Sequence, residues 1–259
     1  YGHETIGHRQ DIEDYTAATL DRFYRFYYRP DNAVMMIVGD VDEKTALTAV
    51  KKHFSAIARP TTPIPRFHIR EPKQEGVRRT TIVRPSETNV VALGIKQKGF
   101  PTHEWFATSV LFEILTGGPE SILHRALIDT ALATAVDGSL EPSSEENLAT
   151  LTITLAKGQA HGEIEAKVLK LIDELTIATI TPLLKKVKAK MVTDELFARD
   201  SSLRITQELT EYASAGDWSQ YTKTLKILET ITPKIILETS KQCFNQNNMT
   251  IGYFIGIKK

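Results

Sequence analysis

The run His3-Glu4-Thr5-Ile6-Gly7-His8 is the first place in this sequence where residue types and spacing could do chemistry. Two imidazoles beside a carboxylate are the parts of a hydrolytic zinc site, in which the rings hold the metal and the carboxylate takes a proton from bound water. A helix delivers both rings to one face only when they are four residues apart. Here they are five apart and Gly7 interrupts, so the segment reads as a polar N-terminal loop. The inverted spacing, His-x-x-Glu-His, occurs nowhere among the seven histidines, His3, His8, His53, His68, His103, His124 and His161.

Other chemistries lack their parts as well. No Gly-x-Ser-x-Gly elbow, phosphate loop or dinucleotide fingerprint occurs. Gly117-Gly118 is too short to cradle a phosphate and reads as a helix-ending turn. Cys243 is the one cysteine, so neither an internal disulfide nor a thiolate metal site is available, and its place near a helix end marks an inert buried thiol. The carboxylates of Asp11, Glu13 and Asp14, and of Glu141, Glu145 and Glu146, read as solvated surface. Trp105 and Trp218 read as packing residues or partly exposed anchors. The expectation for this chain is therefore that no catalytic, substrate-binding or metal-ligating residue is present.

Composition narrows the class. The 259 residues carry 32 basic and 32 acidic side chains, so no net charge draws them to nucleic acid or to an anionic membrane. With 41% apolar and 25% charged residues the chain has the balance of a globular protein able to bury a core. No apolar run approaches the roughly 20 residues of a membrane span.

Periodicity supplies the elements. Thr16 caps a helix running to Tyr28, with Leu20, Phe23, Tyr24 and Tyr27 on one face, and Pro30-Asp31-Asn32 turns the chain. Residues 33–38 form a continuous apolar run that predicts a strand covered on both faces, closed by Gly39-Asp40. A second amphipathic helix is expected over 43–54. Residues 58–75 hold Pro60, Pro63, Pro65 and Pro72 and no sustained period, which predicts an extended linker.

A second unit, 76–259, follows. Strands are expected over 78–84 and 89–97 with a turn at Pro85-Ser86, then a helix over 104–115, a short helix over 121–129, and paired strands over 132–140 and 147–155. Four helices come next: one over 164–178, one opened by Thr181-Pro182, one through 203–212, and one opened by Thr232-Pro233. A final apolar strand is expected over 248–257. Hairpin-like strands kept apart from helix runs predict an α+β fold, a mostly antiparallel sheet with helices packed on one side.

These residues also carry a resemblance. Tyr1-Gly2-His3 with Ile6-Gly7, Asp11-Ile12-Glu13, and the stretch from Phe23 to Asp42 with its Pro-Asp-Asn turn and Val-Gly-Asp-Val ending are similar to the closing third of the catalytic domain in the pitrilysin/insulinase zinc peptidases. The similarity continues through Leu115-Thr116-Gly117-Gly118, Ser121-Ile122-Leu123, Gly216-Asp217-Trp218 and Gly252-Tyr253-Phe254. It implies that residues 1–57 are the C-terminal remnant of a zinc domain, homologous to the second domain over 76–259, with the zinc-binding motif preceding Tyr1.

The resemblance implies zinc in the parent protein and none bound to this portion. The family's Arg and Tyr, which help hold substrate in the second domain, fall on Ile128 and Ala135, and Arg125 lies three residues too early. That departure resembles the zinc-bearing subunit of two-subunit bacterial members, whose second domain is catalytically silent and shapes a substrate chamber. Expected partners are a peptide substrate, met through the full-length protein, and a homologous peptidase-like subunit. The expected compartment is the periplasm. The alternative is a non-catalytic scaffold or partner subunit, separated by whether the preceding domain keeps His-x-x-Glu-His.

Overall fold

A computed structural model describes residues 5–64 and 72–258. His3 and Glu4 of the opening motif lie outside these residues, as does most of the second half of the expected linker. The chain divides into two compact units, Tyr1–Pro72 and Lys73–Lys259.

In the first unit, a short helix α1 (Arg9–Glu13) precedes α2 (Ala17–Tyr27). Thr16 and Thr19 form a reciprocal cap on α2: the Thr19 backbone N–H donates to Thr16 Oγ1 at 3.2 Å and the Thr16 N–H donates to Thr19 Oγ1 at 3.0 Å. After a 3-10 turn at Pro30–Asn32, the expected strand over 33–38 is not formed. A strand exists through its bonds to a neighbour, and no strand is formed among the described residues of this unit. Val34, Met35 and Ile37 are accordingly 66%, 52% and 50% exposed. Helix α3 (Glu43–Phe54) follows, capped by Asp42, whose Oδ1 accepts from the Thr45 N–H at 2.8 Å. No hydrophobic side chain among the described residues of this unit is buried.

The second unit is built on one five-stranded sheet. Its strands are β1 (Arg78–Pro85), β2 (Val90–Gln97), β3 (Ala133–Leu140), β4 (Asn147–Leu155) and β5 (Met249–Ile257). Their spatial order is β1-β5-β2-β4-β3. The sheet is mostly antiparallel, with β1 and β5 the parallel pair. The expected turn at Pro85-Ser86 therefore does not make β1 and β2 neighbours. The apolar closing strand takes the inner position, and β1, with Arg78, Arg79 and Arg84, goes to the edge, where charge is tolerated.

Between strands, α4 (His103–Thr116) is capped by Thr102, and a π-helical turn spans His124–Ile128. Helices α5 (His161–Asp173), α6 (Ile177–Ala198), α7 (Ser202–Ser214), α8 (Thr224–Thr230) and α9 (Pro233–Cys243) complete the unit. Two expectations are corrected here. The helix expected over 164–178 stops at Asp173, because Thr176 opens α6 with a cap shared with Thr179. Thr181-Pro182 is not a cap either. Pro182 lies inside α6, and the Thr181 hydroxyl donates to the Ile177 carbonyl at 2.6 Å. The reciprocal Thr-x-x-Thr cap outweighs the Thr-Pro signal because it satisfies two free backbone donors rather than one. Thr232 does cap α9 as expected.

One sheet face carries the core. Val91, Leu93, Ile95, Leu151, Ile153 and Ile251 are at most 1% exposed and pack beneath the helices. The α+β fold with helices on one side is the fold observed.

Candidate functional surface

The alternation that buries Val91, Leu93 and Ile95 turns their neighbours to the other face. Val90, Ala92 and Gly94 of β2, Thr150, Thr152 and Thr154 of β4, and Thr250, Gly252 and Phe254 of β5 register side by side there. Thr80 and Ile82 of β1 and Ala135 of β3 extend the face to both edges. None of these side chains belongs to the apolar core, and each keeps some exposure.

The surface is low around Ala92, Gly94 and Gly252, with Ile82, Phe254 and Leu148 standing towards its ends. A methyl placed on Gly94 would touch only Leu148 and the Thr250 carbonyl, each at 3.8 Å or more, and one on Gly252 would meet Thr80 Cγ2 at 3.5 Å. These are ordinary contacts from adjacent strands, with nothing pressing from above. Charge sits on the rim: Lys96 at the end of β2, Asp137 on β3, and Arg78 and Arg84 on β1. The centre offers methyl groups and hydroxyls. Such a face can lie along a polypeptide and hydrogen-bond it through its hydroxyls.

The β3 edge adds a second feature. This strand pairs with β4 on one side only, so its other side presents main-chain donors and acceptors to an incoming strand. A cavity of about 290 Å³ opens beside it, lined by Gly138, Ser139 and Leu140 of β3 and by Ser109, Phe112, Glu113 and Thr116 of α4. Gly138 permits the approach of α4. A Cβ there would lie 2.5 Å from Thr116 Oγ1 and 2.9 Å from Phe112 Cδ1.

A half-buried ion network holds the opposite edge. Arg79 of β1 donates to both carboxylate oxygens of Glu165 on α5, at 2.8 and 2.6 Å, and the Tyr253 hydroxyl of β5 donates to the same carboxylate. His161 Nε2 lies 2.9 Å from the Phe254 carbonyl. The Arg79 hydrogen bonds hold the Glu165 carboxyl below its ordinary range, against the opposing effect of burial. Burial, reinforced by the carboxylate, raises the Tyr253 phenol. A bidentate Arg–carboxylate pair fixes geometry more than it supplies reactivity, and here it fastens β1 and β5 to α5. Sequence reading missed this network, since Arg79, Glu165 and Tyr253 have no common motif. The Thr-x-Thr-x-Thr alternation of β4 was the available signal for the open face.

The residues singled out from sequence fall as follows. Ile128 lies in the π-helical turn and packs on the core, whereas Ala135 sits on the open face opposite Thr154. Arg125 stays near Glu120, Nη2 to Oε1 at 3.9 Å. His8, Asp11, Glu13 and Asp14 are exposed, and Glu13 pairs with Arg9. Glu141, Glu145 and Glu146 are exposed on the β3–β4 loop, with Glu146 paired to Lys98. Gly117 ends α4 and Gly118 continues with φ of 102°. Trp105 packs against Phe100, ring centroids 4.9 Å apart, and Trp218 is 57% exposed. Cys243 is buried, and burial pushes its thiol up to about 11. Among the described residues no group of three or more His, Cys, Asp or Glu could hold a metal ion, and no helix is long and apolar enough to cross a membrane.

Comparison with known proteins adds kinship to this geometry. Residues 14–199 match the family described as the peptidase M16 inactive domain. The zinc protease PqqE of Helicobacter pylori is 27% identical over 217 residues, covering 82% of this chain and 49% of that protein. A solved protease from Helicobacter pylori shares the fold with a TM-score of 0.88 at 23% identity, over 96% of this chain and 61% of that one. The periplasmic protease PqqL of Escherichia coli shares it with a TM-score of 0.64 at 12% identity, over 85% of this chain and 25% of that one. The chain spans about half the length of the PqqE relative it matches.

Proposed function

The chain belongs to the M16 peptidases through their inactive domain, matched across residues 14–199, and from that premise we propose that it is the non-catalytic portion of a zinc peptidase that cleaves peptides. The observation that carries this reading is the two-sided sheet of the second unit. One face is sealed by helices, and the other presents threonines, glycines and alanines beside an open β3 edge. In this reading that face forms part of the wall of a substrate chamber. It takes an extended, unfolded peptide by van der Waals contact, hydroxyl hydrogen bonds and strand addition at β3.

The first unit completes the reading. A helix, an Asn-containing turn and an apolar segment over 33–38 repeat the order in which α9 leads to β5. The latter is a closing strand seated between two others. Residues 33–38 then serve as the inner strand of the zinc domain, whose other strands and zinc motif come from the rest of the parent protein. Residues 58–75 are the linker between the two domains. Zinc would be held in that domain, where it would activate water for peptide hydrolysis. A homologous peptidase-like subunit closes the chamber, and the periplasm, where the PqqL relative works, is the compartment.

The test is made in the full-length protein. Thr150→Glu puts a charge on the open face, opposite Ser139 and Gly94, without touching the core. It is expected to lower kcat/KM for an unfolded peptide at least ten-fold while leaving the melting temperature unchanged. Unchanged turnover would reject the face as a substrate wall. The chain by itself is expected to bind zinc below stoichiometry, and chelator-sensitive peptide cleavage by it would reject the assignment of zinc to the other domain. Loss of His-x-x-Glu-His from the parent's first domain would favour the scaffold alternative.

A further inference from the structure

The first unit contains a second cavity, of about 390 Å³, between α2 and residues 60–62. It is lined by Asp21, Arg22, Arg25, Phe26, Arg29, Pro60 and Thr62. Three arginines share one wall because 22, 25 and 29 are spaced by three and four residues on a helix and its first flanking turn. Arg29 is the fixed member. Its side chain is 4% exposed, it grips Asp31 through Nε at 2.6 Å and Nη2 at 2.9 Å, and it donates to the Thr62 and Pro60 carbonyls at 2.7 and 3.1 Å. Asp31 also takes Arg59 at 3.4 Å.

The two outer members have donors to spare. Arg25 uses Nε on Asp21 at 2.7 Å. Arg22 makes no hydrogen bond or ion pair among the described residues. Three guanidinium groups, of Arg22, Arg25 and Arg29, therefore line the cavity beside the one carboxylate of Asp21 among the described residues. Phe26 supplies an apolar floor. The cavity lies on the side of α2 opposite Leu20, Phe23, Tyr24 and Tyr27, since positions on a 3.6-residue helix place these two sets about half a turn apart. Covering the apolar side of α2 leaves the arginine side open.

We infer that this cavity binds an anionic group, a carboxylate or a phosphate, through the free guanidinium donors of Arg22 and Arg25. Planar guanidinium forks match both anions in bidentate geometry. The inference is independent of the peptidase reading, because it rests only on side chains of the first unit.

The experiment is calorimetric titration of the full chain with inorganic phosphate and, separately, with succinate, at about 0.15 M ionic strength so that unspecific attraction is screened. Saturable binding of at least one anion is expected, weakened ten-fold or more in R22Q/R25Q. Binding of phosphate alone assigns a phosphoryl ligand, and binding of succinate alone assigns a carboxylate ligand. Should the double variant misfold, NMR of the arginine Nε–H groups in the unaltered chain gives the same answer, with the signals of Arg22 and Arg25 shifting on saturation. No saturable binding of either anion, binding retained in the double variant, or unmoved Arg22 and Arg25 signals would overturn the inference.

Discussion

Glu165 is the residue whose loss the fold would register most clearly. It is a carboxylate with 9% of its side chain exposed, shared by Arg79 and Tyr253 and tying two strands to α5. Replacing it with Gln leaves Arg79 without its charge partner, but Arg79 is 56% exposed and water recovers part of the loss. Glu165→Gln is expected to cost about 1–3 kcal/mol by urea unfolding at neutral pH. The pH dependence has a definite sign. Because the folded carboxyl is held below its ordinary range, its contribution is full above the unfolded value and is lost as pH falls through the lowered folded value. Unfolding measured from pH 7 downwards should show the variant and the wild type converging in acid. Constant separation would mean that the pair is not the cause.

Two other residues make sharp statements. Gly138→Ala would drive a methyl onto Thr116 and Phe112 of α4. An overpacking loss of about 1–3 kcal/mol is expected, and an unchanged unfolding midpoint would show that the helix moves freely. Cys243, its thiol raised by burial to about 11, is expected to resist a thiol reagent at pH 8 until the chain unfolds. Labelling of native protein at the rate of a free thiol would contradict this.

At the scale of elements, helix α6 shows how local signals compete. Thr176-x-x-Thr179 and Thr16-x-x-Thr19 make the same reciprocal cap, yet only Thr16 was read as a cap from sequence, because Thr181-Pro182 offered a more familiar start. Thr176→Ala should lower stability by about 1 kcal/mol. Pro182→Ala, which restores a backbone N–H for the Ala178 carbonyl, should raise it by about 1 kcal/mol or more. Thermal melts of the two variants moving in the same direction would refute this account of the helix start. Strand order failed to show in the sequence for a related reason. The pattern of β1 and β2 gave two strands and a turn. What seats β5 between them is the competition of all strands for inner positions, which involves residues more than 150 apart in the chain.

At the scale of the whole molecule, the two units differ in what holds them together. Lys73–Lys259 has a continuous apolar core from Val91 to Ile251, and the described part of Tyr1–Pro72 buries no apolar side chain. Hydrogen exchange is expected to be slow in β2, β4 and β5 and fast throughout α2 and α3, since protection follows local burial. Equal protection of both units would overturn that contrast. Residues 33–38 stay apolar and half-exposed, so Ile37→Lys should reduce self-association of the chain in sedimentation, as charge does at other exposed apolar segments.

The sequence by itself determined the family, the α+β class and nearly every helix and strand. All of these follow from local periodicity, caps and short motifs, which act over a few residues. Only the tertiary structure decided the order of strands, the Arg79–Glu165–Tyr253 network, the face on which Ala135 sits, the arginine-lined cavity of α2, and the failure of 33–38 to become a strand. Each of these depends on which distant segments meet, and a strand or an ion pair has no existence until its partner is in place.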